Sequence, residues 1–247
     1  MGADASVRLI GSAAFLVAFA LVALLTPMDG PAALDEGVTT LLRASASSGM
    51  DAAMRALTNL GGTIVLLAVT GLGVVLVRTR RPEALFLVLA VIGSLLLNDV
   101  LKELFHRPRP RLDWAEIVPE YSFPSGHAMN SFVVYVALAV VVWRIRGRRA
   151  GLLALGLAIA LSIGIGISRV YLGVHHVTDV VAGVLAGALW LLLLATLAFR
   201  SVPRPPDSSP ETEAADGVGR SAARIGVLRR DDPQHARADL ERDRRGP

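Results

Sequence analysis

Residues 102–127 read KELFHRPRPRLDWAEIVPEYSFPSGH. The stretch is polar and interrupted by Pro108, Pro110, Pro119 and Pro124, yet it lies between two long apolar runs, Ala84–Leu101 and Ala128–Trp143. Each run approaches the ~20 residues needed to cross the hydrocarbon core of a bilayer. The stretch therefore reads as a loop between two membrane spans, and the expected fold class is all-α, a polytopic transmembrane helix bundle. The loop carries Lys102, His106, Arg107, Arg109, Arg111, Ser125 and His127. Lys102 is the one lysine among 25 Lys and Arg. That exception stands at the mouth of the loop, a place suited to a compact ammonium rather than a planar fork.

The same pattern repeats outward in both directions. Upstream lie the apolar run Gly61–Val77 and a basic turn with Arg78, Arg80, Arg81 and Pro82. Downstream come Arg144, Arg146, Arg148 and Arg149, the run Ala150–Ile167, a second polar island SRVYLGVHHVTD at Ser168–Asp179, and the run Val180–Phe199. Leu9–Leu25 is apolar throughout, and TPMDGP rather than a small-x-small cleavage site follows it, so it reads as a first span. The count is six spans. Between the first two, Leu34, Val38, Leu41 and Leu42 recur at i, i+4, i+7 and i+8, and Met50, Met54 and Leu57 repeat the pattern. Those spacings predict short amphipathic helices lying on the membrane in the first external loop. Residues 201–247, rich in Pro, Asp, Arg and Ser, are expected to be a disordered cytoplasmic tail beyond a membrane domain at 1–200.

With six crossings, the basic turns at 78–81 and 144–149 and the Arg200–Arg204 stretch share one face. The positive-inside rule makes that face cytoplasmic, with both termini inside, in a plasma membrane. The polar islands 102–127 and 168–179 are separated by two spans and emerge together on the opposite face. Their arginines run against the orientation bias, which points to a purpose other than topology.

Composition agrees. The chain of 247 residues is 53% hydrophobic with mean hydropathy +0.54. It has no cysteine, which excludes disulfides and thiolate metal sites. The net charge of +4 comes from membrane-surface arginines, so the high isoelectric point does not argue for nucleic acid as a partner. The expected partners are the bilayer and a lipid phosphate substrate.

Lys102-x6-Arg109-Pro110, Pro124-Ser125-Gly126-His127, and Ser168-Arg169-x5-His175-x3-Asp179 together resemble the three-part signature of the type 2 phosphatidic acid phosphatase superfamily. Every signature position is filled in order, and the six-span reading is similar to the integral-membrane branch. The resemblance covers roughly residues 1–200. It implies a phosphatase acting on membrane lipid phosphates through a phosphohistidine, with no metal and no other cofactor.

The residue types suit that chemistry. A phosphate monoester is dianionic near neutral pH and needs several fixed donors. Lys102, Arg109 and Arg169 supply positive charge, and the arginines can grip two oxygens at once. Ser125 and Gly126 open the fourth span, where serine suits an N-cap, glycine admits close backbone approach, and free amides bind phosphate. The resemblance makes His175 the expected nucleophile, with Asp179 holding its other ring nitrogen and His127 as general acid, then base. If the segment is helical, the i, i+4 spacing sets His175 and Asp179 on one face. His106, Arg107 and Arg111 read as solvated loop residues. Asp99 stands one turn before Lys102, and Ser168 fits the signature or simply ends a helix.

Rival readings are weaker. A metal site from His127, His175, His176 and Asp179 would crowd cations beside a cation. A transporter would bury charges mid-span, whereas here they gather at span ends. A soluble vanadate-dependent haloperoxidase relative would not have six spans. A phosphotransferase shares the first half-reaction and stays open.

Overall fold

The computed structural model describes residues 3–115 and 121–199. The tail expected beyond residue 200, and residues 116–120 of the central loop, lie outside them. Eight helices run in order: α1 (Ala3–Leu25), α2 (Ala33–Arg43), α3 (Ser48–Asn59), α4 (Thr63–Leu76), α5 (Arg81–Phe105), α6 (Gly126–Arg146), α7 (Arg148–Tyr171) and α8 (Val177–Ala198). There are no strands among the described residues.

Four helices, α5 to α8, are long and apolar enough to cross a bilayer. The 25 residues of α5 make it about 37 Å long at the usual helical rise. The other two apolar runs lie on α1 and α4. α4 has 14 residues, about 21 Å, and qualifies only together with α3, to which it joins at a bend of 46°. At that break the Leu60 carbonyl accepts a hydrogen bond from Tyr135 Oη at 2.7 Å. The expected surface segments are helical, as α2 and α3.

Large apolar side chains point outward along the bundle, among them Ile64, Leu96, Leu153, Leu157 and Leu197. The interior is built from Phe86, Leu87, Ala90, Val133, Ala137, Val141, Leu191 and Leu194, where α5, α6 and α8 meet. Small residues bring α8 against α6. A Cβ on Gly183 would fall 2.7 Å from the Ser125 carbonyl oxygen, so only glycine admits that approach. The backbones are also tied directly, Ser125 N–H donating to the Asp179 carbonyl at 3.0 Å.

The alternation of direction along α5, α6, α7 and α8 collects the polar islands at one end. Lys102 is in the last turn of α5, His127 in the first of α6, Arg169 in the last of α7 and Asp179 in the first of α8. Glu83 and Arg144, at the far ends of α5 and α6, form an ion pair of 3.1 Å at the opposite end.

Candidate active site

α5 runs on to Phe105, past the expected Leu101, and stops at His106, which has φ 52°. Lys102 therefore stands on a rigid helical turn. Ser125 occupies the N-cap position of α6, as expected, but its side chain makes no capping bond, and its buried Oγ has no protein partner. The first amides of α6 and this hydroxyl form one donor group at a helix N-terminus, the arrangement that suits phosphate oxygens. A Cβ on Gly126 would lie 2.8 Å from Asn98 Oδ1, so any larger residue would displace the Asn98 side chain where α6 starts beside α5. Asn98 in turn donates to the Pro124 carbonyl at 3.3 Å.

His175 is 2% exposed and lies before α8, not within it. The condition of a helix running through both His175 and Asp179 is not met, since only Asp179 is helical. His176 is extended (φ −78°, ψ 157°) and caps α8, its N–H donating to Asp179 Oδ2 at 2.9 Å. Asp179, as the third residue of the helix, gains that amide, and the turn before it swings His175 into place from outside the helix. His175 Nδ1 is 3.4 Å from Asp179 Oδ2. Its other nitrogen, Nε2, is 3.0 Å from an Arg109 Nη, which also donates to the Val174 carbonyl at 2.7 Å. A guanidinium can only donate, so Nε2 carries its lone pair toward Arg109 and the ring proton belongs on Nδ1, facing the carboxylate.

Burial, reinforced by the positive charges of Arg109, Arg169 and Lys102 and by His127, pushes the His175 pKa well below 6.5. The imidazole is neutral at neutral pH. Arg169 is buried, one Nη donating to Thr58 Oγ1 at 3.0 Å. His127 is half-buried, near the α3–α4 break, where a Cβ on Gly61 would be 3.3 Å from its ring. All eight residues expected from the sequence, His175, His127, Asp179, Lys102, Arg109, Ser125, Gly126 and Arg169, are thus brought to one end of the bundle. Ser168 is buried, and its hydroxyl turns back to the Ile165 carbonyl at 2.6 Å, a helix-interior contact. Asp99 is exposed on α5. Among the described residues, no three His, Asp or Glu side chains converge as metal ligands.

The expectation for Arg107 is overturned. His106 and Arg111 are exposed, but Arg107 is 0% exposed, the largest fully buried side chain. One Nη donates to Asp179 Oδ1 at 2.6 Å and Thr178 Oγ1 at 2.7 Å. The other donates to Asp35 Oδ2 at 2.9 Å and the Gly30 carbonyl at 2.8 Å. Asp35, 1% exposed, also accepts from the Thr178 amide at 2.9 Å and the Ala32 amide at 2.9 Å. Burial alone would raise the Asp35 pKa; the Thr178 and Ala32 amides and Arg107 outweigh it and hold the carboxyl below its ordinary value. α2 turns this acid inward while Leu34 (60% exposed) and Leu41 (73%) face out. The sequence held one signal for it: an aspartate interrupting the leucine stripe of α2 beside Leu34.

A second tie holds α2 and α3. Asp51 of α3 accepts from Arg43 of α2 at 3.0 Å and from Tyr171 Oη of α7 at 2.6 Å, and the Arg43 guanidinium stacks over Trp114 and Tyr171. Between α2 and the loop 108–114 lies a cavity of about 650 Å³, lined in part by Glu36, Thr39, Thr40, Arg111 and Trp114, which meets the site at Arg109 and His176.

The sequence model of the PAP2 superfamily matches residues 83–203. Phosphatidylglycerophosphatase B of Bacillus subtilis is 42% identical over 116 residues, 44% of this chain and 55% of that protein. Lipid A 4'-phosphatase of Porphyromonas gingivalis is 34% identical over 122 residues, 43% of this chain and 49% of that protein. The chain thus spans about half the length of these curated relatives. The crystal structure of a transmembrane PAP2-type phosphatidylglycerolphosphate phosphatase from Bacillus subtilis superposes with a TM-score of 0.71 at 28% identity, covering 79% of this chain and 99% of that one.

Proposed function

We propose, from the premise that residues 83–203 make this chain a member of the PAP2 superfamily, that it is an integral-membrane phosphatase. On this reading it hydrolyses the terminal phosphate of a lipid phosphate or diphosphate through a phosphohistidine, without a metal. One observation carries the reading: a neutral, buried His175 whose Nε2 faces Arg109 at 3.0 Å while Nδ1 faces the Asp179 carboxylate at 3.4 Å. Phosphatidic acid, phosphatidylglycerol phosphate and a polyprenyl diphosphate all offer the same terminal group. The names of the relatives, a phosphatidylglycerophosphatase and a lipid A phosphatase, support a membrane lipid as the substrate class.

The substrate phosphate takes up the space beside Arg109, held by Lys102, Arg109 and Arg169 and by the α6 N-terminus with Ser125 Oγ. His175 Nε2 attacks phosphorus as the bond to the lipid oxygen breaks. His127 gives a proton to the departing oxygen, and Asp179 stabilises the Nδ1–H of the modified ring. In the second half, His127 removes a proton from water, the water oxygen bonds to phosphorus, and the phosphorus–nitrogen bond breaks. Inorganic phosphate leaves and His175 is restored.

The chain crosses the plasma membrane six times in this proposal, with α1 and the short α4 as the two crossings beside α5 to α8. The site then opens on the extracytoplasmic side near the headgroups, and both termini are cytoplasmic. The outward leucines of α2 and the exposed Trp114 suit that plane.

The test is rapid-quench labelling with phosphorus-labelled lipid. Wild type is expected to show a base-stable, acid-labile phosphoenzyme that His175→Ala abolishes together with turnover, and His176→Ala retains. Label surviving in His175→Ala, but lost in His176→Ala, would move the nucleophile by one residue; label lost in neither would remove the covalent route.

A further inference from the structure

We propose that Arg107 and Asp35 are positioning residues for the His175 step: Asp35 on the surface helix α2 fixes Arg107, and Arg107 fixes the carboxylate that orients the nucleophile. This rests on the reading of His175 given above, and it adds two residues outside the three-part signature.

Asp179 has two oxygens and two tasks. Oδ2 accepts the His176 amide at 2.9 Å and faces His175 Nδ1 at 3.4 Å, so its direction decides where the imidazole points. Oδ1 is free to rotate away unless something holds it, and Arg107 holds it at 2.6 Å. The guanidinium is itself fixed by Asp35 at 2.9 Å and by the Gly30 carbonyl at 2.8 Å. Thr178 closes the ring, since its hydroxyl accepts from Arg107 at 2.7 Å and donates to Asp35 at 3.0 Å. The buried cation between two buried carboxylates opposes the cost of burying the Asp179 charge, and the Asp179 carboxylate it fixes faces His175 Nδ1 at 3.4 Å, leaving the Nε2 lone pair for phosphorus. The planar fork is needed because its two Nη atoms serve different elements, one α8 and the other α2 with the loop before it.

Arg107 is 0% and Asp35 1% exposed, and the bonds of both named above go to protein groups, which separates positioning from binding. Arg107→Lys keeps the charge and loses the fork. Asp35→Asn keeps the shape and removes a negative charge. Arg107→Gln removes the cation. Purified full-length variants are compared with wild type for kcat, KM, phosphoenzyme formation rate and the acid limb of kcat/KM, each normalised to the folded fraction from thermal unfolding. The groups facing His175 in that titration are Lys102 of α5, Arg109 of the loop, His127 of α6, Arg169 of α7 and Asp179 of α8, with Arg107 and Asp35 behind Asp179.

The expected result is a kcat and phosphorylation rate lowered by up to ~10²-fold, the usual cost of a small misplacement of a reacting group, with KM within about threefold of wild type. The acid limb moves up in Arg107→Gln, where Asp179 loses its counter-charge, and down in Asp35→Asn, where Arg107 loses its own. Arg107→Lys leaves it in place. If Arg107→Gln does not fold, Asp35→Asn and Arg107→Lys decide. Unchanged kcat per folded molecule, or a loss shared with KM and no shift of the acid limb, would overturn the inference and reduce the cluster to a fold-stabilising one. Because His175→Ala labelling is measured in parallel, persistence of label there would fail the nucleophile assignment itself, a distinct outcome.

Discussion

Arg107 and Arg109 are two residues apart on one loop and inhabit different surroundings. Arg107 enters a clamp where a cation is answered by Asp35 and Asp179 and by two neutral acceptors. Arg109 belongs to a wall where Lys102, Arg169 and His127 also face a single neutral imidazole. The clamp is closed within the protein, while the wall concentrates positive charge that a dianionic phosphate would complement. The difference teaches that residue type says little about an arginine's role, and the charges packed around it say most.

Several measurements would break or sharpen that division. The largest effect among them is expected at His127. His127→Ala should slow the first half-reaction by ~10²–10⁴-fold, the usual contribution of a general acid. An ester with a good leaving group should be hurt less. An equal loss for both substrates would remove His127 from proton transfer.

Next comes the wall itself. Arg109→Ala should lower kcat/KM by ~10²–10³-fold, comparable to losing one preorganised donor to a developing charge, and should raise KM. Equal KM effects for Arg109→Lys and Arg107→Lys would erase the distinction between wall and clamp.

A smaller effect is expected in the pH dependence. His175 is held below its ordinary 6.5 by burial and by the surrounding positive groups. Its neutral form therefore persists at mildly acid pH, and the acid limb of kcat/KM should fall below that value. Arg169→Gln removes one of those positive groups and should move the limb upward. The stability sign is fixed too: the unfolded chain takes up a proton near 6.5 before the folded one does, so the His175 contribution to stability falls as pH drops below that value. A limb at or above 6.5 in wild type would contradict the burial of the ring.

The smallest effect lies at the other end of the bundle. Arg144→Gln leaves the buried Glu83 carboxylate without its partner and should lower thermal stability, while leaving the chemistry alone. Activity per folded molecule should not change, and a kinetic effect there would mean that the two ends of the bundle communicate.

The sequence displayed the wall and concealed the clamp, for a physical reason. Lys102, Arg109, Ser125, Gly126, His127, Arg169, His175 and Asp179 stand at the ends of apolar runs, and counting crossings was enough to gather them. The clamp depends on contacts 72 residues apart, between Arg107 and both Asp35 and Asp179, and 143 residues apart, between Asp35 and Thr178. Nothing in the local pattern around Arg107 distinguishes it from the exposed Arg111. The sequence left open whether His175 is helical, because the start of α8 is set by the bond from the His176 amide to Asp179, with the first helical residue at Val177. The short α4 reads as an ordinary span in sequence, and only its 14-residue length and the 46° bend at its junction with α3 set it apart from α5 to α8.

The hydrogen bond from the Ser125 amide to the Asp179 carbonyl, with glycine beneath it at position 183, joins the segment bearing His127 to the segment bearing His175 through main chain alone. The spacing between the two chemical partners is thus written in backbone rather than in side chains. Substitution of the side chains around this tie leaves that main-chain distance in place.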